Sequence, residues 1–142
     1  MNTIAKNIFN PGKYPDIINI VLLLLRISAG ALMLTHGYGK FVTLFGTEPI
    51  QFADPFGVGA VASLSLTVFS EVLCSILLIL GLGTRLAAIP LIITMFVAIF
   101  IIHVSDGFGR QELPLLYTVI YIAIALMGAG KYSIDYLIMS KK

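Results

Sequence analysis

The sequence predicts an all-α integral membrane protein folded as a four-helix bundle, and three observations carry that expectation. The chain has 142 residues, of which 58% are hydrophobic and 11% charged, whereas a soluble domain carries about a quarter charged residues. Four apolar blocks stand out, each close to the roughly 20 residues that cross a bilayer core as a helix. Short stretches containing glycine or proline separate them. One membrane domain over residues 1–142 accommodates all four.

The blocks predict helices at about 17–35, 58–82, 85–102 and 113–129. The first has a superficial likeness to a signal peptide, with Lys6 and Lys13 before it and Ala29-Gly30-Ala31 as a cleavage-like site. Arg26 interrupts its core and apolar residues continue past the small-residue site, so it is read as a span. The second block follows a loop rich in turn residues, Gly46 to Gly59 with Pro49 and Pro55. Gly81 to Gly83 makes a tight turn into the third, where Pro90 marks a bend in the first turns. Gly107 to Pro114 precedes the fourth, and Pro114 falls near a first turn, where a missing N–H is harmless.

Lysine and arginine placement predicts orientation. With both termini cytoplasmic, that side holds Lys6, Lys13, Arg85, Lys131, Lys141 and Lys142, against Lys40 and Arg110 opposite. The expected location is the bacterial cytoplasmic (inner) membrane, crossed four times, with lipid as the surrounding medium. A net charge of +2 with no basic run points away from nucleic acid. Cys74 is the single cysteine, so no intrachain disulfide forms. No metal-ligand spacing occurs, and no metal is expected.

Two residues do not belong in lipid. Arg26 lies about nine residues into the first block, and Glu71 about eleven from the end of the antiparallel second. A lone charge at the bilayer centre costs on the order of 3 kcal/mol, so the matched depths predict an Arg26–Glu71 pair forming a buried polar core. The helical wheel agrees. Arg26, Ala29, Gly30, Met33 and Gly37 make one stripe, and Ser63, Thr67, Ser70, Glu71 and Cys74 another, as expected of a helix–helix interface. The pair serves either to pin two helices or to carry function.

His36 and His103 end helices that run in the same direction, with Lys40 one turn after the first and Asp106, Arg110 and Glu112 after the second. His36, Lys40, His103 and Glu112 are therefore expected as an outer-face polar cluster, either proton-carrying or merely solvated by headgroups. A bis-histidine haem is a less favoured reading, since only one histidine pair exists. Tyr117 and Tyr121 share a face of the fourth helix and, with Thr67 and Ser70, are candidates to line a pocket. No catalytic residue is assigned.

The segments "LRISAGALMLTHGYGK", "SEVLCSILLILGLGTRLAAIPLIITMFVAIFIIH" and "GAGKYSIDYL" together resemble the DoxX family of small four-helix bacterial membrane proteins. The residues that carry the resemblance are Arg26, His36-Gly37, Lys40, Glu71, Gly81 to Arg85, His103 and Gly130 to Asp135. They cover about Ile17 to Leu137 in order. The resemblance implies a membrane subunit of a quinone-linked redox complex, or of a thiol or oxidative-stress complex. Electrons would come from a partner protein, and the subunit would bind quinone and associate with lipid and with further copies of itself. The alternatives are a small-molecule transporter or binding subunit, and a structural membrane anchor without redox activity.

Overall fold

The computed structural model describes residues 7–140; Lys6, Lys141 and Lys142, which the charge count uses, lie outside the described residues. Four helices are long and apolar enough to cross a membrane: α1 Asp16–Leu44, α2 Ala60–Leu80, α3 Thr84–Ile102 and α4 Phe108–Met127. A short α5, Ile134–Ser140, follows. The described residues contain helices and no strand.

α1 has 29 residues, about 44 Å at 1.5 Å per residue, and runs nine residues past the expected end at Thr35. Glycine costs only about 1 kcal/mol inside a helix, and two of the glycines in α1 are needed for its packing. A Cβ at Gly30 would sit 2.6 Å from Ile79 Cγ1, and one at Gly37 would sit 2.8 Å from Val72 Cγ2. The α1 and α2 backbones approach closely because those side chains are absent.

Neither α2 nor α3 is regular throughout. α2 widens into a π-turn at Phe69–Cys74 before resuming at Ser75. α3 does the same over Ala98–Ile102, closed by the His103 amide donating to the Ala98 carbonyl at 2.9 Å. Such π segments are uncommon and concentrate at functional sites.

The core draws on all four spans. Ala29 and Met33 of α1 meet Cys74 and Leu78 of α2, Ala88, Leu91 and Met95 of α3, and Tyr117, Tyr121 and Ile124 of α4. Large apolar residues cover the outside, among them Leu24, Leu32, Leu66, Ile93, Phe100 and Leu126. A monomer in water would not present so continuous an apolar surface; in a bilayer it is the lipid contact.

Candidate functional site

Polar residues gather at both ends of the bundle, and they separate Arg26 from Glu71. At the end that carries the chain termini, Arg26 is completely buried. Its Nη2 donates to the Tyr132 carbonyl at 2.5 Å, and its Nη1 reaches the Leu78 carbonyl at 3.5 Å. Asp135 supplies the nearby negative charge. That carboxylate also accepts from the amides of Gly83 at 2.7 Å and Thr84 at 3.0 Å, while the Asp135 amide donates to the Gly81 carbonyl. The segment after α4 thus folds back under α2 and holds Arg26.

The expected Arg26–Glu71 pair does not form. The expectation set the start of the first helix level with the end of the second, but Arg26 itself lies level with Gly81. Ten residues separate Gly81 from Glu71, about 15 Å along the helix. Residues of α1 before Arg26 extend below α2 and pack on the returning segment, where the Lys131 amide donates to Asn19 Oδ1 at 2.9 Å.

Glu71 has a different cation. Both its oxygens accept from Lys40 Nζ, at 2.7 and 2.6 Å. The carboxylate is 5% exposed and the lysine side chain 31%, so the ammonium sits toward the bundle end and the carboxylate below it. Gly37 packs on the Glu71 backbone, and the π-turn of α2 turns Ser70 and Glu71 inward together. Nearby, Thr94 Oγ1 lies 2.8 Å from Ser70 Oγ and 2.9 Å from the Pro90 carbonyl. A hydroxyl has one proton, so Ser70 donates to Thr94 when Thr94 donates to Pro90.

Two cavities meet at this pair. The larger, about 500 Å³, lies between α2 and α3 with walls that include Leu66, Phe69, Ile93 and Val97. Phe52 and Phe56 of the loop before α2 roof it. Asp54 anchors that loop, accepting from Ser63 Oγ at 2.7 Å and from the amides of Gly59 at 2.7 Å and Val58 at 3.0 Å. Its carboxyl is held below the usual carboxylate range, chiefly by the Ser63 hydroxyl and then by the Gly59 amide. The smaller cavity, about 320 Å³, lies among α1, α3 and α4 beside His36, Met95, Arg110 and Tyr117. Lys40, Glu71, Ala98 and His103 line both.

His103 follows the π-turn of α3, and its Nδ1 lies 2.8 Å from Asp106 Oδ2. That hydrogen bond is the main reason the Asp106 carboxyl lies below its ordinary range. With Nδ1 engaged, the other ring nitrogen is the one left to take or give a proton.

The family model for DoxX matches residues 21–104, more than half of the chain, and both Arg26 and the Lys40–Glu71–His103 wall fall inside the match. The chain belongs to the DoxX family. It is similar to an uncharacterised protein of Haemophilus influenzae, 37% identical over 124 aligned residues that cover 80% of this chain and 87% of the relative. It is 29% identical to a Bacillus subtilis protein named "Putative oxidoreductase CatD", over 80% of this chain and 83% of that one. An uncharacterised membrane protein of Mycobacterium tuberculosis is 28% identical, over 80% and 78%. No solved structure matches the chain at a significant level.

This DoxX bundle brings some of the expected residues together and leaves others apart. Lys40, His103, Thr67 and Ser70 line the larger cavity, and His36 and Tyr117 the smaller. The Tyr117 ring meets His36 edge-on at 6.1 Å and stacks on Tyr121 at 5.7 Å. Tyr121 is fully buried and lines neither cavity, and Glu112 is exposed and lines neither. The roof loop, Thr94, and Arg110 as a wall residue go beyond the sequence expectations. An aspartate shortly before a helix was the available signal for the loop anchor.

Proposed function

We propose that this DoxX protein is the membrane subunit of a redox complex and holds a quinone headgroup in the cavity between α2 and α3. One observation carries the reading: a lipid-facing apolar cavity of about 500 Å³ ends at Lys40, Glu71 and His103. Ligand pockets commonly span about 300–1,000 Å³ and are apolar with a few convergent polar groups. The residues present fit such a group. Leu66, Phe69, Ile93 and Val97 suit a ring and an isoprenoid tail, and Lys40 Nζ offers a donor to ring oxygens. When bound, a quinone supplies two-electron, two-proton acceptor chemistry. The chain's own residues bind the headgroup, exclude water through the Phe52–Phe56 roof, and hold cationic charge beside the ring oxygens. Electrons come from a partner protein. The name of the Bacillus subtilis relative supports the redox class. The charge count supports a bacterial cytoplasmic membrane setting with both termini inside.

Native mass spectrometry of the purified protein tests this, together with titration of a short-chain ubiquinone analogue. The expected result is retained quinone, with binding at least ten-fold weaker in Lys40→Met and His103→Ala. No retained quinone and no thermal shift on titration would favour a transport or anchoring role.

A further inference from the structure

Resting on that ligand reading, we infer that Glu71 is the proton-carrying residue between the smaller cavity, which opens at the bundle end, and the lipid-facing one. The two cavities share one wall. A ligand between α2 and α3 meets mainly apolar side chains such as Leu66 and Ile93, with Ser63, Thr67, Ser70 and Thr94 as neutral polar neighbours, and protons do not reach it through the hydrocarbon side. The smaller cavity is bounded by His36 and Arg110, both exposed at the bundle end. Polar contact between the two spaces is confined to the wall they share, and its polar members are Lys40, Glu71 and His103.

The three differ in depth. His103 is half-buried at the helix end, with Asp106 holding one ring nitrogen. Lys40 is partly exposed, while the Glu71 carboxylate is nearly sealed and faces both spaces. Glu71 is therefore the group that can accept a proton from one side and release it on the other. The charged and titratable groups around it are His36 and Lys40 from α1, His103 from α3, and Arg110, Tyr117 and Tyr121 from α4.

In the delivery step, the Glu71 carboxyl O–H bond breaks as an O–H bond forms on an acceptor oxygen in the larger cavity. The carboxylate left behind is held by the Lys40 ammonium, as in the structure. A proton from the aqueous phase, entering the smaller cavity past His36 and Arg110, then restores the Glu71 O–H bond, so one proton is taken from solution for each one delivered. No electron passes through the chain in either step. Lys40 is the positioning residue: it fixes both carboxylate oxygens at the junction.

α3 offers an internal comparison, because Met95 lines the smaller cavity and Val97, two residues on, lines the larger. Native Cys74 is 1% exposed and gives the background. In nanodiscs, a charged, membrane-impermeant thiol reagent should modify Met95→Cys at least ten-fold faster than Val97→Cys. Infrared difference spectra are then recorded as the short-chain ubiquinone analogue is reduced with dithionite in the bound state. They should show a protonated-carboxyl band that shifts in D2O, disappears in Glu71→Gln and persists in Glu112→Gln. Quinone retained with equal labelling, or with the band surviving Glu71→Gln, overturns the relay alone. No quinone retained removes the function reading as well, and the relay with it.

Discussion

Replacing Arg26 with leucine tests whether its partners lie in the returning segment or on α2 at Glu71. Leucine keeps most of the buried volume, so the loss is electrostatic. The Tyr132 carbonyl loses a charged donor at 2.5 Å, worth about 1.5–3 kcal/mol. The contact to Leu78 at 3.5 Å is at the limit of a hydrogen bond and adds little. Asp135 loses its nearby cation but keeps the Gly83 and Thr84 amides, which limits that further cost to about 1–2 kcal/mol. The sum, roughly 4 kcal/mol, lies within the range for breaking a buried pair. At about 3 °C per kcal/mol for a chain of this size, the unfolding midpoint in detergent should fall by about 12 °C. Cys74 is buried and the only cysteine, so a thiol-reactive dye reports the transition directly. The decisive measurement is a pair of double-mutant cycles. Arg26→Leu should be additive with Glu71→Leu within about 0.5 kcal/mol, and coupled to Asp135→Asn by more than that. Strong coupling to Glu71 with none to Asp135 would refute the assignment.

Lys40→Met should destabilise by about 2 kcal/mol, because it strands a buried carboxylate whose partner was a third exposed, and Lys40→Met/Glu71→Leu should recover most of that loss; the same dye assay reads both. Gly81→Ala should cost at least about 2 kcal/mol, since Gly81 has φ +68° and a Cβ there collides with the Arg26 guanidinium and lies 2.6 Å from Ser133 Cβ. Asp54 titrates below its ordinary value, so its hold on the loop is complete above the unfolded pKa of about 3.9 and is lost as pH falls through the lower folded value. Protection of the Val58 and Gly59 amides, corrected for the intrinsic slowing of exchange in acid, should fall over that range, and Asp54→Ala should lower it at neutral pH. Reporter fusions after Leu137 and near Gly83 should score cytoplasmic, and one near Thr47 external.

Periodicity made the helices and their buried faces legible. Arg26, Ala29, Gly30, Met33 and Gly37 all face inward on α1, and Ser63, Ser70, Glu71 and Cys74 do so on α2. Each is a local pattern, visible within a few turns. The pairing of charges was not legible, because it depends on how far one helix slides along another. That offset is set by the glycine contacts of α1 and by the segment after Gly128, more than 100 residues from Arg26. Asp135 stood in a recognised motif, yet nothing local to it pointed to an arginine in the first helix. The roof loop and the two π-turns share this character: their geometry comes from packing, and neither leaves a period in the sequence.

The lashing of the chain ends sets where the bundle can give. Arg85 caps the last carbonyls of α4 at Ala125 and Leu126 and also reaches the Asn10 carbonyl, the Tyr14 hydroxyl donates to Met127, and the Gly130 amide donates to Pro11. The N-terminal strand of chain, the α2–α3 turn and the C-terminal segment are thereby knotted at one pole. Among the described residues the opposite pole has fewer ties: the Lys40–Glu71 clasp, the His103–Asp106 contact, the Gln111 side-chain amide donating to the His103 carbonyl, and a loop anchored by Asp54. Local opening follows the weaker bonding, so backbone amides at the Lys40–Glu71 pole should exchange faster than those around Gly81–Gly83. If a hydrophobic guest enters the proposed site between α2 and α3, the bonding predicts that the bundle gives at the Lys40–Glu71 pole while the pole around Gly81–Gly83 stays closed.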